Sequence, residues 1–481
     1  LLVTTGVQNI LIGAHAGDAL TTGSGNVALG YNALSLEDAH GRNVALGHSA
    51  LATLNAGANG HNTAVGYIAG QSMTTGVQNT LLGSSAGDAL TTGQRNIAIG
   101  YSALSSEDTG GRNVAIGRAA LEDLNAGTDA YNIAIGYEAG KEMTTGVENT
   151  LIGGLAGDAL TEGVRNVAIG YGALSAENSH GKNVAIGYFS LLNQDAGADA
   201  HNVAVGYSSG ANVTTGVENV VIGGLAGDAL TTGYGNVVVG HQALSAEDTG
   251  RKNTAIGFEA LKVQDSATSN LNTALGYQAG KAVSTGVQNT ILGALSGDAI
   301  TTGDNNIIIG HNAATSAVGA DNETVIGTTT TTSALVHGLK QPVIAASANV
   351  AAAAAFPNSI FNFSDADGAS VTLPDSGDGS QIGKSYEFIT TVTATSNTHS
   401  IILSDSSNEL FIGNLTKVNT GGTDVISDIA EASDTYREIQ MNGTTQGGIK
   451  GSYIKCTNIA ADLWHVQGTL ICSGTIASAF N

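Results

Sequence analysis

The pattern Asn-x-x-x-Gly recurs eighteen times in the first two-thirds of this 481-residue chain. It starts at Asn9, Asn26, Asn43 and Asn62 and restarts at Asn79, Asn96, Asn113 and Asn132, so the asparagines follow one another in steps of 17, 17, 19 and 17 residues and the set repeats every 70. The series runs to Asn306, and a distorted copy closes it at Asn322 and Gly327. The larger period also shows in Thr-Thr-Gly-Val from Thr4, Thr74, Thr144 and Thr214, and in Ser-Thr-Gly-Val from Ser284. A chain with such a period grows by stacking units, not by enlarging one core. The expected fold is all-β: a parallel β-solenoid, or β-roll, of about 19 rungs over residues 1–338. Rungs about 4.8 Å apart give a rod roughly 90 Å long.

Inside the motif, the residues between Asn113 and Gly117 are Val-Ala-Ile, a strand-forming run that glycine ends. Alternation along a strand sends the flanking pair one way and the middle residue the other. The middle residue is small in most rungs: Ala28, Ala45, Ala98, Ala115, Ala134, Ala168 and Ala185. Both faces are therefore apolar, as in a strand buried on both sides. One face can fill the coil, and the other needs a second surface. The expectation is a homotrimer with alanine as the close-approach residue around its axis; a wider single-chain solenoid that covers both faces itself is the alternative. After the glycine, Ala or Ser followed by Leu, as at Leu34, Leu51, Leu104 and Leu121, predicts a second short strand of about five residues per rung. The asparagine amides both donate and accept, so a ladder from rung to rung is expected over Asn9, Asn26, Asn43, Asn62, Asn79, Asn96, Asn113 and Asn132. The 70-residue period also spaces charge. The acidic pairs Glu37-Asp38, Glu107-Asp108 and Glu247-Asp248, and the bases Arg42, Arg112, Lys182 and Lys252, recur four rungs apart. That is about 19 Å, beyond the roughly 8 Å screening length at physiological salt.

Acids outnumber bases 40 to 17, a formal charge of −23. This balance argues against a nucleic-acid partner, which needs clustered Lys and Arg, and against an anionic membrane surface. No apolar run is long enough to span a bilayer as a helix, and no signal peptide is visible. The chain opens on Leu1, as expected of a processed or truncated product. The three prolines, Pro342, Pro357 and Pro374, all lie outside the repeats, in keeping with uninterrupted ladders. Cys456 and Cys472 do not make a disulfide framework, though neighbouring strands could bring them together.

These rungs resemble the head repeats of trimeric autotransporter adhesins (the YadA-like heads), and the longer form Asn-Val-Ala-Ile-Gly-Tyr-x-Ala-Leu is similar to repeats in bacteriophage tail and head fibres. The resemblance covers residues 1–338 and implies a trimeric left-handed parallel β-roll. The rungs here are longer than those of the adhesin heads, and the C-terminal sequence lacks the four-strand anchor of an autotransporter. The expectation is therefore a viral fibre, at the virion surface or extracellular. A bacterial cell-surface adhesin or extracellular filament subunit is the alternative.

Beyond the repeats, residues 339–357 read as a neck, with a short helix expected over the Ala-rich stretch 345–355 and ended by Pro357. Residues 358–481 hold most of the phenylalanines and the sole tryptophan, Trp464. Strand-like runs at 370–373, 385–391, 399–403, 410–412, 453–456 and 463–470, separated by turns, predict an antiparallel β-sandwich. The stretch from Val371 to Pro374 and from Gly383 to Ile389 resembles terminal domains of marine phage structural proteins.

No catalytic constellation stands out, and no His-x-His, His-Glu-x-x-His or Cys-x-x-Cys metal motif occurs. No cofactor is expected. The Asp of Gly-Asp-Ala at Asp18, Asp88, Asp158, Asp228 and Asp298 caps a turn or, alternatively, helps hold Ca²⁺. The residue after the motif's glycine is often aromatic, and Tyr31, Tyr67, Tyr101 and Tyr137, with Trp464, are candidate glycan contacts. The alternative role for these tyrosines is to cover strand edges. A glycan depolymerase would need paired carboxylates, for which Asp365/Asp367 and Glu431/Asp434 are the near pairs beyond the neck. The function expected is thus a non-enzymatic shaft carrying a terminal domain that binds a host glycan or protein receptor, with further contact to a virion attachment protein.

Overall fold

The computed structural model describes all residues except 1–2, 267–269, 329–342, 347–349, 352–358, 365, 377–380, 396–397, 405–408, 421–424, 431–435, 474–476 and 481. The chain forms two compact units, Leu1–Ala334 and Leu335–Asn481. Among the described residues no helix is long and apolar enough to cross a membrane.

The first unit is a parallel solenoid of nineteen rungs, each with one three-residue strand, from β1 (Ile10–Ile12) to β19 (Thr324–Ile326). Each strand pairs in register with the same motif position one rung on, as Val114, Ala115 and Ile116 do with Ile133, Ala134 and Ile135. The middle residue points into the coil, so that Ala98, Ala115 and Ala134 are fully buried within a single chain. The flanking residues point outward: Ile12 is 57% and Leu82 46% exposed. This reverses the expected use of the two faces. Alanine does not face a partner; it is small because the interior of its rung is filled from the other side.

That filling comes from the turn after the glycine, and among the described residues the second strand expected there does not form. Leu34, Leu51, Leu104 and Leu121 adopt left-handed backbone (φ 50, 50, 54 and 51) and point inward, fully buried. Left-handed backbone costs roughly 1–2 kcal/mol in a non-glycine residue, comparable to the ~1.5–3 kcal/mol gained by burying a leucine. The turns nonetheless keep rung-to-rung backbone bonding: Leu34 N–H donates to the Ala50 carbonyl at 3.0 Å, and Leu51 N–H to Ala69 at 3.0 Å.

The 70-residue period is a packing code. In two rungs of every four, alanine in the strand goes with leucine in the turn, as in Ala98 with Leu104; in a third, Ala64, Ala134, Ala204 or Ala274 goes with Gly70, Gly140, Gly210 or Gly280, and Met73, Met143, Val213 or Val283 is buried three residues further on. Once in four, the strand carries the large residue (Leu81, Leu151, Val221 or Ile291) and the turn carries Gly87, Gly157, Gly227 or Gly297. A Cβ at Gly87 would lie 2.7 Å from Leu90 Cδ1 and 2.9 Å from Leu81 Cδ2. Fitting of this kind also runs between rungs, since a Cβ at Gly70 would meet Leu81 Cδ1 at 2.6 Å and Leu51 Cδ2 at 2.9 Å. Large and small residues thus alternate to keep interior volume constant.

The asparagines hold each rung to the next mainly through the backbone. Asn96 Oδ1 accepts the Asn113 N–H at 3.0 Å, and Asn96 Nδ2 donates to the Gly110 carbonyl at 3.0 Å. The same pair of bonds places Asn9, Asn26, Asn62, Asn79 and Asn132, while Asn43 Oδ1 accepts the Asn62 N–H. Direct amide-to-amide bonds are longer additions, as from Asn43 Nδ2 to Asn26 Oδ1 at 3.3 Å. In the 19-residue rung that follows Asn113 the amide Nδ2 finds no partner. Alanine at Asn96 would strand one buried N–H and one buried carbonyl. At about 1–3 kcal/mol each, a loss of about 2–5 kcal/mol is expected, read as a lower urea midpoint at unchanged slope. Asn113→Ala, which strands only the Asn132 N–H, should cost about half as much.

Among its described residues the second unit contains two sheets. One runs β20 (Val343–Ala346), β22 (Ile360–Phe363), β24 (Ser385–Thr390), β29 (Tyr453–Ala460), β30 (Leu463–Cys472), β26 (Leu410–Asn419) and β27 (Val425–Ala430). The other runs β21 (Val350–Ala351), β23 (Ser370–Thr372), β25 (His399–Ile402) and β28 (Glu438–Met441). Inward residues of both sheets, among them Phe361, Phe388, Ile401, Ile439 and Trp464, form one apolar cluster. The antiparallel sandwich expected is corrected to a mixed arrangement, because β20–β22–β24, β21–β23–β25 and β26–β30 pair in parallel. The expected helix over 345–355 is corrected too: its described residues lie in β20 and β21. Alanine is a good helix former, but ladder partners at Asn362, Phe363, Val371 and Thr372 outweigh that preference. The rest of the neck, 339–342, 347–349 and 352–357, lies outside the described residues.

Candidate functional site

Three features of the structure bear on function. The first is the column of side chains that follows the motif's glycine. Tyr31, Tyr67, Tyr101 and Tyr137 are exposed there, as are Tyr171, Tyr188, Tyr207, Phe258 and Tyr277. Parallel stacking brings successive rings into contact: Tyr31 with His48 at 5.1 Å, Tyr188 with Tyr207 at 5.5 Å, and Phe258 with Tyr277 at 5.4 Å. Arg118 extends the column by lying over the Tyr137 ring at 5.3 Å and bonding its hydroxyl. The column is interrupted once every four rungs by a small residue: Ser84, Gly154, Gly224 or Ala294. Trp464 does not join this surface. It is fully buried against Tyr386, with its indole N–H directed at Glu409. As a glycan contact it is corrected to a core residue of the second unit.

The second feature is the polar turn that recurs every 70 residues. Glu37, Glu107, Glu177 and Glu247 are fully buried, so they are not surface charges diluted along a rod. Each tucks under its own turn: Oε1 accepts the N–H of His40 at 3.1 Å, Gly110 at 2.6 Å, His180 at 3.2 Å and Gly250 at 2.7 Å. Burial pushes all four carboxyls up, Glu177 to about 7, where the nearby Asp195 charge adds to it. Two of the recurring bases act locally, Arg112 pairing with Asp129 at 3.0 Å and Lys182 with Asp199 at 2.5 Å. Glu177 is hidden from the acidic-pair pattern because Asn178 breaks it; aligning the 70-residue copies by position brings it out. Three clusters of possible ligand atoms arise at these turns: Glu37, Asp38 and His40; Glu177, His180 and Asp195; Glu247, Asp248 and Asp265. The Gly-Asp-Ala aspartates considered for Ca²⁺ join no such cluster among the described residues. The Asp88 carboxyl has a buried Oδ1 without a hydrogen-bond partner and is pushed up by burial, and Asp18 pairs with His15 at 3.0 Å.

The third feature is a buried polar network in the second unit. Glu409 accepts the Ser376 N–H at 2.8 Å, the Ser376 hydroxyl at 2.6 Å and the Ser404 hydroxyl at 3.0 Å. Lys417 is buried and pairs with Asp428, which also accepts the Ala479 N–H at 2.7 Å, fastening the chain's last residues to β26 and β27. Cys456 and Cys472 are free and buried, opposite Val466 and Asn419 rather than each other, and burial pushes both thiols up. Of the carboxylate pairs considered for hydrolysis, Asp365, Glu431 and Asp434 lie outside the described residues.

No protein-family model matches the chain, and neither a curated protein nor a solved structure matches it.

Proposed function

We propose that the chain is the subunit of a viral fibre, of a bacteriophage tail or head, in which three copies pack their solenoids together through the outward strand faces. In this reading the solenoid is a rigid, non-enzymatic shaft, and the unit from residue 358 onward carries the surface that binds a host glycan or protein receptor. The carrying observation is the outward face itself. Ile10, Ile12, Leu29, Leu82, Ile97, Ile133, Ile222, Leu275, Ile307 and Ile326 are exposed along it from the first strand to the last. A strip about 10 Å wide over roughly 90 Å presents on the order of 900 Å². A monomer's largest apolar patch is about 300–600 Å², whereas a stable interface takes about 800 Å² from each partner. The net charge of −23 keeps such a subunit soluble where the apolar strips meet. The stacked tyrosines repeat a weak contact many times along one line, an arrangement that gains from avidity on a repetitive surface.

Light scattering on the purified chain should give three times the subunit mass. Aspartate at both Leu82 and Leu275 should reduce that to one subunit with the β-sheet spectrum unchanged. A native mass of one subunit for the unsubstituted chain overturns the packed fibre. Glycan-array binding by the intact chain, lost on substitutions in the second unit alone, supports its receptor role; binding that resides in the solenoid reverses it.

A further inference from the structure

The four buried glutamates are equivalent by the 70-residue period, but their surroundings are not. Three positions after each stands His40, Gly110, His180 or Gly250, and eighteen positions after each stands Asn55, Asn125, Asp195 or Asp265. At these two positions only the third copy carries both an imidazole and a carboxylate; in the first copy the second carboxylate is Asp38, beside Glu37 in the same turn. The third is also the copy whose glutamate is left incomplete. In the first two, Oε2 accepts the N–H of Ala56 at 3.3 Å or Ala126 at 3.1 Å. In the fourth it accepts Asn270 Nδ2 at 2.6 Å and Gln264 Nε2 at 3.1 Å. In the third, Glu177 Oε2 is buried without a hydrogen-bond partner, and Gln194, the counterpart of Gln264, donates instead to the Thr214 carbonyl at 3.1 Å. His180 Nδ1 is likewise buried without a hydrogen bond, 3.8 Å from Glu177 Oε1; His40 Nδ1 in the first copy is buried in the same way, 3.5 Å from Glu37 Oε1, but there Glu37 Oε2 is already engaged by Ala56. No lysine or arginine pairs with Glu177 or Asp195 among the described residues.

We propose that Glu177, His180 and Asp195 form a binding site for a divalent transition-metal ion such as Zn²⁺. Their ligand atoms lie within 4.8 Å of one another. Bonds of about 2.0–2.2 Å in a tetrahedral site put ligands roughly 3.5 Å apart. The contraction needed is about an ångström, and the exposed Asp195 and half-buried His180 are free to supply it. One imidazole and two carboxylates suit Zn²⁺, with water in the fourth position. Ca²⁺ prefers six to eight oxygens, more than this turn offers. The ion would staple the turn at 177–180 to the next rung at Asp195, in one place along the solenoid.

The test is calorimetric titration of the untagged full chain with ZnCl₂, with Co²⁺ absorption to report coordination. One saturable site per chain is expected, with a rise in melting temperature on Zn²⁺ addition. His180→Ala and Asp195→Asn should each weaken binding at least tenfold and abolish the thermal shift, and Glu177→Gln should do the same. Glu107→Gln, in the copy without His or Asp, should leave affinity unchanged. Because His180 and Asp195 are not core residues, their variants keep the test sound should Glu177→Gln fail to fold. No saturable uptake, or uptake that survives His180→Ala and Asp195→Asn, overturns the site.

Discussion

Alanine in place of Gly117 is expected to cost the solenoid about 3 kcal/mol or more and to divide its unfolding into two steps. Gly117 ends a strand with φ 138, and a Cβ there would lie 2.1 Å from the Gly136 carbonyl oxygen and 2.6 Å from its carbon. Backbone strain of this kind costs about 1–3 kcal/mol. Overpacking adds a similar amount, and the obstacle here is backbone, which no side-chain rotation can move. The rungs on either side must therefore part. Since each rung of a solenoid touches only its neighbours, the loss stays local, and two shorter stacks remain on either side of it. Urea unfolding followed by circular dichroism should show a second transition absent from the parent. Gly127, at φ 66 with nothing within 4 Å of its Cβ, is the control: its alanine variant should keep one transition. An unchanged single transition for Gly117→Ala would mean that adjacent rungs can separate without loss of stacking.

The second large effect concerns the pairing of Leu81 with Gly87. Leu81→Ala removes a fully buried side chain from a rung whose turn cannot fill the gap, an expected loss of about 2–5 kcal/mol. Gly87→Ala pushes a methyl into Leu81 and Leu90, an expected loss of about 1–3 kcal/mol. The double variant approaches the pattern of the next rung, Ala98 with Leu104. Its destabilisation should fall short of the sum by about 1 kcal/mol, the relief being partial because Leu90 stays in place. Strict additivity in chemical denaturation would show that the large–small alternation is not a shared volume.

The rung count and the single register of the strands were legible in the spacing of the asparagines, because a parallel ladder maps a fixed sequence step onto a fixed position. Which strand face pointed inward was not, because Val, Ala and Ile are all apolar; the answer came from turn leucines in a left-handed conformation that propensity alone disfavours. The burial of Glu37 and its equivalents was hidden for a related reason. A carboxylate in a polar turn reads as solvated until the backbone N–H groups that it satisfies are seen. In the second unit, the runs at 370–373, 385–391, 399–403, 453–456 and 463–470 fell on strands, while β22, β27 and β28 went unread and β26 ran well past Ile412. Pairing direction there depends on partners distant in the chain, such as Leu410 with Leu463, which no local pattern specifies.

The alternation of large and small interior residues has a consequence for how such a chain can change length. Loss of the single rung that carries Ala64 and Gly70 would remove the glycine against which Leu51 and Leu81 both lie, and the two side chains would contend for one space. Loss of four consecutive rungs restores every neighbour. Shortening or lengthening by 70 residues is therefore tolerated, and intermediate steps are penalised. Length becomes a quantised trait, adjustable by duplication in increments of about 19 Å.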